Sequence, residues 1–270
     1  MSLAVVITFF RDDAYFLDAL ASVFAQTRAP DEIIVVDDAS PPDKAETLRD
    51  LDPRVRLIRH EQNKGPAIAR QTGTDAATSA TIAYLDADDI WQPDKLERQL
   101  AHLDAHPEIA ANHTGLAMFF RDGSERIYAD KPRELDLAEA LRTCHVIPSA
   151  LLIRRDALRA VGGWCTDRTI TEDWDLQIRL AAGGHRVAFI AEPLLHLRRF
   201  DHGNLAWQSK RLMRGNLKMM SRHRALYLST LGLRSTLATC GEVIAGGGRR
   251  GGIDGRALRA FGWMLGYRAR

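Results

Sequence analysis

The feature that most constrains this chain is an alternation of short, continuous apolar runs with amphipathic stretches over its first hundred residues. "LAVVITFF" opens the pattern, and "YFLDALASVFAQT" then places Phe16, Leu20, Val23 and Phe24 at helical spacing. "DEIIVVDD" repeats the first run, "KAETLRDL" reads as a short helix after a Pro-Pro turn, and "VRLIRHE" follows as a strand. "GPAIARQTGTDAA" predicts a helix opening at Gly65-Pro66, and "ATIAYLDADD" a further buried strand. Strands apolar on both faces and separated by helices require right-handed crossovers. The expected fold class is therefore α/β, a Rossmann-like, mostly parallel sheet flanked by helices.

In such sheets ligands bind beyond the carboxyl ends of the strands. Two of the runs end in carboxylates there: Asp37 and Asp38 in "VVDD", and Asp86, Asp88 and Asp89 in "YLDADD". Two acidic strand ends on one rim suit a cation or sugar hydroxyls, although each aspartate taken singly also fits a turn or a helix cap. With 270 residues, 46% hydrophobic and 27% charged, the chain can bury a large core, which excludes a disordered or fibrous protein. A formal net charge of +2 gives no reason to expect nucleic acid as a partner. Cys144, Cys165 and Cys240 are odd in number, far apart and outside any CxxC pair. This favours a reducing compartment over a disulfide frame or a structural zinc. "MSLAVVITFFRDD" reads as a first strand rather than a signal peptide, and no apolar run approaches the ~18 residues of a membrane span, so a cytoplasmic location is expected.

Five ordered segments carry a resemblance. They are "VVITFFRDDAYFLDALASVFAQTRAPDEIIVVDDAS", "NKGPAIARQTG", "YLDADDIWQPDKLERQ", "VGGWCTDRTITEDWDLQIRLAAGG" and the stretch near "RRFDHGNLAW". In order and spacing, over roughly residues 3 to 215, they resemble the family 2 inverting glycosyltransferases with the GT-A nucleotide-sugar fold. The resemblance implies a GT-A domain over residues 1–204, with a nucleotide-sugar-binding half (1–105) and an acceptor-binding, catalytic half (106–204). Residues 205–270 then form a helical extension, which holds thirteen Lys and Arg from Leu205 onward against Glu242 and Asp254 alone.

The resemblance also implies roles. Asp88 is the metal ligand of the DxD, and Asp86 contacts the ribose or assists the metal. Asp38 accepts a hydrogen bond from the base, Phe10 takes the place of a base-stacking Tyr, and Thr8 and Arg70 are further nucleotide contacts. Phe10-Arg11 stands where the family usually shows Tyr-Asn, and Ala39 where it shows Gly. Phe10 is equally a core aromatic and Arg70 a solvated helix residue if read alone. The implied cofactor is Mg²⁺ or Mn²⁺, a Lewis acid for a departing diphosphate that needs only one or two carboxylates. The implied partners are a nucleotide-diphosphate sugar, uridine-linked by preference, and a glycan or lipid-linked acceptor.

In the second half, "TITEDWDLQIRLAAGG" predicts a helix from Thr169 or Thr171 to Gly183-Gly184, with Glu172 and Asp173 in its first turn. Carboxylates there complement the helix dipole whatever else they do. By resemblance to the family's ED motif, Asp173 is the base that takes the acceptor proton, with Glu172 beside it near the acceptor. Trp164 either stacks on a sugar or fills the core. Downstream two alignments stay open. His202 completes the metal site as in non-processive relatives, or Gln208 and Arg211 stand for a QxxRW motif whose Trp is replaced by Leu212. Lys210, Arg211, Arg214, Lys218, Arg222 and Arg224 crowd onto one helix, which either packs on the domain or meets an anionic membrane surface. "GGGRRGG" reads as a flexible loop before a last helix. Two rival classes remain at this level: a nucleotidyltransferase using the same rim, and a degenerate nucleotide- or glycan-binding module.

Overall fold

A computed structural model describes residues 1–11, 13–199 and 209–249. The strands β1 (Leu3–Phe9), β2 (Glu32–Asp37), β3 (Val55–Arg59) and β4 (Thr81–Asp86) stand in the order β3-β2-β1-β4 with every pairing parallel. Between them run α1 (Asp13–Phe24), α2 (Pro42–Ala45) and α3 (Pro66–Ala76). The apolar runs behave as their composition demands: Leu3 to Ile7 are fully buried, and so are Val35 and Val36. Side chains from alternate positions fill two cores, one on each face of the sheet. Each such Leu, Ile or Val stabilises the fold by about 1.5–3 kcal/mol. The strand order reverses between β1 and β4, so the crevice of this sheet opens at their carboxyl ends.

Beyond β4 the sheet becomes mixed. It continues through β5 (Ile90–Trp91), α4 (Lys95–Ala105), β6 (Ile109–Phe120), β7 (Glu125–Tyr128), α5 (Leu137–Arg142), β8 (Leu151–Arg154), α6 (Arg155–Ala160), α7 (Glu172–Ala182) and β9 (Arg186–Arg199). β8 pairs antiparallel with both β4 and β6, while β6 and β9 run parallel through three register shifts. The mostly parallel expectation thus describes the first half, and the second half mixes antiparallel pairs with the parallel β6–β9 pair.

Two glycines fix the backbone near the crevice. Gly65 precedes α3 at φ 92°, and Gly163 holds φ 74° where a Cβ would stand 2.3 Å from Gln71 Oε1. Two non-glycine residues also occupy the left-handed region, Arg11 at φ 70° and Ala39 at φ 61°.

The chain ends, within the described residues, in α8 (Ser209–Arg222) and α9 (Arg224–Arg249). α9 turns at Gly232, whose φ 73° and ψ 168° are non-helical. It then runs to Arg249, so the glycines at 246–248, expected in a loop, continue the helix backbone. Met219, Met220 and Tyr227 pack on Leu141, Ile170, Trp174 and Ile178 as a third core. The last expected helix, "GRALRAFGWMLGYR", lies outside the described residues.

Candidate active site

Strand register brings the donor-side residues together. Thr8 on β1 is level with Asp86 on β4 and Val36 on β2, and Phe9 is level with Asp37. The ends of three parallel strands therefore meet at the rim of a cavity of about 1530 Å³. Thr8, Phe10, Asp38, Arg70, Asp86, Asp88, Glu172 and Asp173 all line it.

Asp86 Oδ1 accepts hydrogen bonds from Thr8 Oγ1 at 3.0 Å and from Arg70 Nη2 at 2.7 Å. Asp38 is already heavily engaged. Its Oδ1 accepts from Lys64 N (2.8 Å) and the His60 ring (2.7 Å), and its Oδ2 from Gly65 N (2.7 Å). The carboxylate thus ties down the 63–65 turn ahead of α3, and a base contact has to share Oδ2. Asp37 is fully buried, accepts Ser40 N at 2.8 Å and faces Arg59 at 2.9 Å, which makes it a turn residue. Phe10 is half-buried on the cavity wall, with the Arg11 guanidinium 4.6 Å from its ring centre.

Two further carboxylates come from the start of α7. Thr171 is its N-cap, and Glu172, Asp173 and Asp175 occupy the first turn, where the dipole favours negative charge. Glu172 accepts from Arg70 Nη1 at 2.9 Å. Asp173 Oδ1 accepts Trp174 N at 2.7 Å. Its carboxyl is pushed up to about 7, first by burial and then by the charge of Glu172, with Arg70 pulling the other way. A carboxylate titrating near neutrality in a cavity has the properties of a general base.

Of its two readings, Trp164 takes the core. It is 2% exposed, meets Tyr84 edge-on at 5.0 Å and is absent from the cavity wall. Its neighbours fill the second core, so no ring face is open to a sugar. Arg70, taken alone, reads as a solvated helix residue, yet it is 3% exposed.

Several lining residues were given no role by the sequence, apart from Arg211 of the QxxRW alternative. Asp167, Arg168 and Arg199 line the cavity, as do Lys210, Arg211 and Arg214 of α8. The α8 cations stay exposed while two of them reach the body: Lys218 donates to Thr169 Oγ1, and Arg222 reaches Cys165 Sγ at 3.2 Å. Fully buried Asp175 is held by Arg179 at 2.7 Å and His223 at 2.8 Å, which locks the end of α8 against α7. The i, i+3/i+4 spacing of 210, 211, 214 and 218 was the available signal, but the direction it faces was not.

Among the described residues, the donor set for a divalent cation is oxygen only. Asp89 is 4% exposed, and burial, then the charges of Asp88 and Asp86, pushes its carboxyl well above the usual range against Ser149 and Arg199. Crowded carboxylates that repel one another suit a hard cation that keeps water or phosphate oxygens in its remaining positions. No group of three or more His, Cys, Asp or Glu closes into a complete metal site among the described residues. His202 and Gln208 lie outside those residues.

Known proteins share this architecture. TarS of S. aureus, solved in complex with UDP, superposes with a TM-score of 0.62 at 15% identity, over 98% of this chain and 88% of that one. The mannosyltransferase PcManGT of Pyrobaculum calidifontis, solved with GDP-Man and Mn²⁺, gives 0.63 at 21% identity over 97% and 79%. In sequence, TuaG of Bacillus subtilis strain 168, whose name ties it to teichuronic acid biosynthesis, is 30% identical over 146 residues, 53% of this chain and 58% of TuaG. The amylovoran biosynthesis glycosyltransferase AmsE of Erwinia amylovora is 28% identical over 184 residues, 66% of this chain and 68% of its own length. Residues 4–162, more than half of the chain, match Glycosyl transferase family 2, and the protein belongs to that family.

Proposed function

We propose that this protein is an inverting glycosyltransferase. It moves a single sugar from a nucleotide-diphosphate donor, uridine-linked by preference, to a hydroxyl acceptor in polysaccharide, glycan or glycolipid assembly. The observation that carries this reading is Asp173. It is a carboxylate held up to about 7 on the wall of the cavity that the strand-end aspartates also line. Inversion needs one base on the face of the anomeric carbon opposite the leaving group, and one such carboxylate suffices. A nucleotidyltransferase has no use for a base there.

On the donor side, Asp88 and Asp86 would hold Mg²⁺ or Mn²⁺, whose Lewis acidity would offset charge developing on the leaving diphosphate. Phe10 and Asp38 face the base, while Thr8 orients Asp86 through its hydroxyl. Lys210, Arg211 and Arg214 bring positive charge to the opposite wall, where the diphosphate and its product need it. Glu172 stands beside the acceptor hydroxyl and keeps Asp173 basic. The relatives solved with UDP and with GDP-Man and Mn²⁺ support a nucleotide-sugar donor. Relatives named for teichuronic acid, amylovoran and succinoglycan support a polysaccharide context.

No helix among the described residues is long and apolar enough to cross a membrane. A peripheral contact with anionic lipid would draw on the exposed cations of α8 together with Arg224, Arg234 and the exposed Leu228, Leu233 and Leu237. The deciding experiment is calorimetric titration of UDP, GDP and dTDP with Mn²⁺ and then with EDTA. Metal-dependent binding of one diphosphate is expected, and binding of none by folded protein would defeat the reading.

A further inference from the structure

The resemblance makes Arg70 a nucleotide contact, but its surroundings give it a different task. Nη2 donates to Asp86 at 2.7 Å and Nη1 to Glu172 at 2.9 Å, while Nε is buried without a partner. Asp86 ends a strand of the donor side, and Glu172 opens a helix of the base side. No other side chain among the described residues hydrogen-bonds both.

The arginine is itself firmly set. Thr74 Oγ1 donates to the Arg70 carbonyl at 2.8 Å and meets the Tyr84 hydroxyl at 2.7 Å, which anchors this turn of α3 to β4. The guanidinium lies 5.2 Å from the centre of the Trp164 ring. Trp164 is in turn fixed to α3 through its backbone N–H, 2.7 Å from Gln71 Oε1. Two carboxylates at fixed separation demand a planar fork, which a lysine cannot supply.

We infer that Arg70 is a positioning residue, which ties Asp86 to Glu172 and so sets where the base Asp173 stands relative to the strand rim. The inference rests on the glycosyl-transfer reading for its meaning, but its geometry is independent of it. The charged and titratable groups that act on Asp173 are Glu172, which raises its affinity for a proton, and Arg70, which lowers it. Cys144, itself pushed up by burial and then by the charges of Asp173 and Glu172, stands close by as a neutral thiol.

The two ends of the bridge therefore make opposite predictions for one observable. The Asp173 carboxyl is followed by ¹³C NMR against pH in the full-length protein, with D173N as the assignment control. R70M is expected to move the midpoint up by about one pH unit, and E172Q to move it down by a similar amount. R70K keeps the charge and leaves the midpoint within a few tenths of a unit, yet lowers turnover of the donor sugar nucleotide about tenfold or more, because the fork is lost. An unmoved midpoint in R70M would overturn the inference and return Arg70 to nucleotide contact. If R70M does not fold, E172Q and R70K decide: a midpoint unmoved in E172Q, or full turnover in R70K, sinks it. Failure of wild-type protein to bind any nucleotide would defeat the glycosyl-transfer reading while leaving the NMR result to stand on its own.

Discussion

The donor-side rim and the base-side helix meet in one cavity but are built by different means. On the rim, Thr8, Asp38 and Asp86 sit at the ends of adjacent parallel strands, so strand register alone brings them within reach of one another. On the base side, Glu172 and Asp173 open a helix whose position depends on contacts from α3, α5 and α8, far away in sequence. A site assembled from strand ends is local and is set by a repeating pattern. A site hung on a helix terminus is only as well placed as the distant groups that brace it.

The sharpest way to break the comparison is to remove the proposed base alone. Asp173→Asn is expected to lower transfer by about 10³-fold while UDP binding persists, since a positioned base contributes 10²–10⁴-fold. In wild type the rate should fall about tenfold per pH unit below about 7, as the carboxyl gains its proton, and stay level above. Stability should move in the opposite sense. The folded carboxyl titrates about 7 against 3.8 when free, so native protein loses stability as pH rises through that window. The gap is equivalent to about 4 kcal/mol at most, and at pH 8 the Asn variant should melt several degrees above wild type.

Asp88→Ala tests the other side. It should cost about tenfold or more in UDP affinity in Mn²⁺ and leave EDTA-resistant binding unchanged, as read by calorimetry. A D88A protein that also lost the Asp173 titration would show that the two regions are not separable. His223→Ala leaves the buried Asp175 with fewer partners and should destabilise by about 2 kcal/mol in urea melts, with transfer falling more than donor binding. The smallest effect is Ala39→Gly. Relief of a left-handed alanine beside the rim should stabilise by about 1 kcal/mol without changing either activity.

What the sequence disclosed follows the same division. Alternating apolar runs and their terminal aspartates predict β1, β2, β4 and the crevice, because period and strand ends are local properties. The start of α7 was legible for the same reason. Side-chain direction was not. Trp164 in "VGGW" fits a sugar platform or a core filler equally, and only the packing of Tyr84 and α3 decides for the core. The α8 cations form a stripe in sequence, but whether a stripe faces water or a cavity is settled by what lies opposite, here Thr169, Cys165 and Asp175. The antiparallel β8 and the bulged β6–β9 pairing are long-range choices with no short signature. Nor does a carboxylate such as Asp38 announce in sequence that two amides and an imidazole already claim it.

The lock between Asp175 and His223 has an evolutionary corollary. The family match ends at residue 162, yet the proposed base, Asp173, lies eleven residues further on and its brace lies at 223. The matched stretch and the stretch that must be inherited together are therefore different lengths. Recombination that swapped everything after residue 162 would carry base and brace as a single cassette. An exchange that fell between 175 and 223 would part them, and such chimeras should be rare among living descendants.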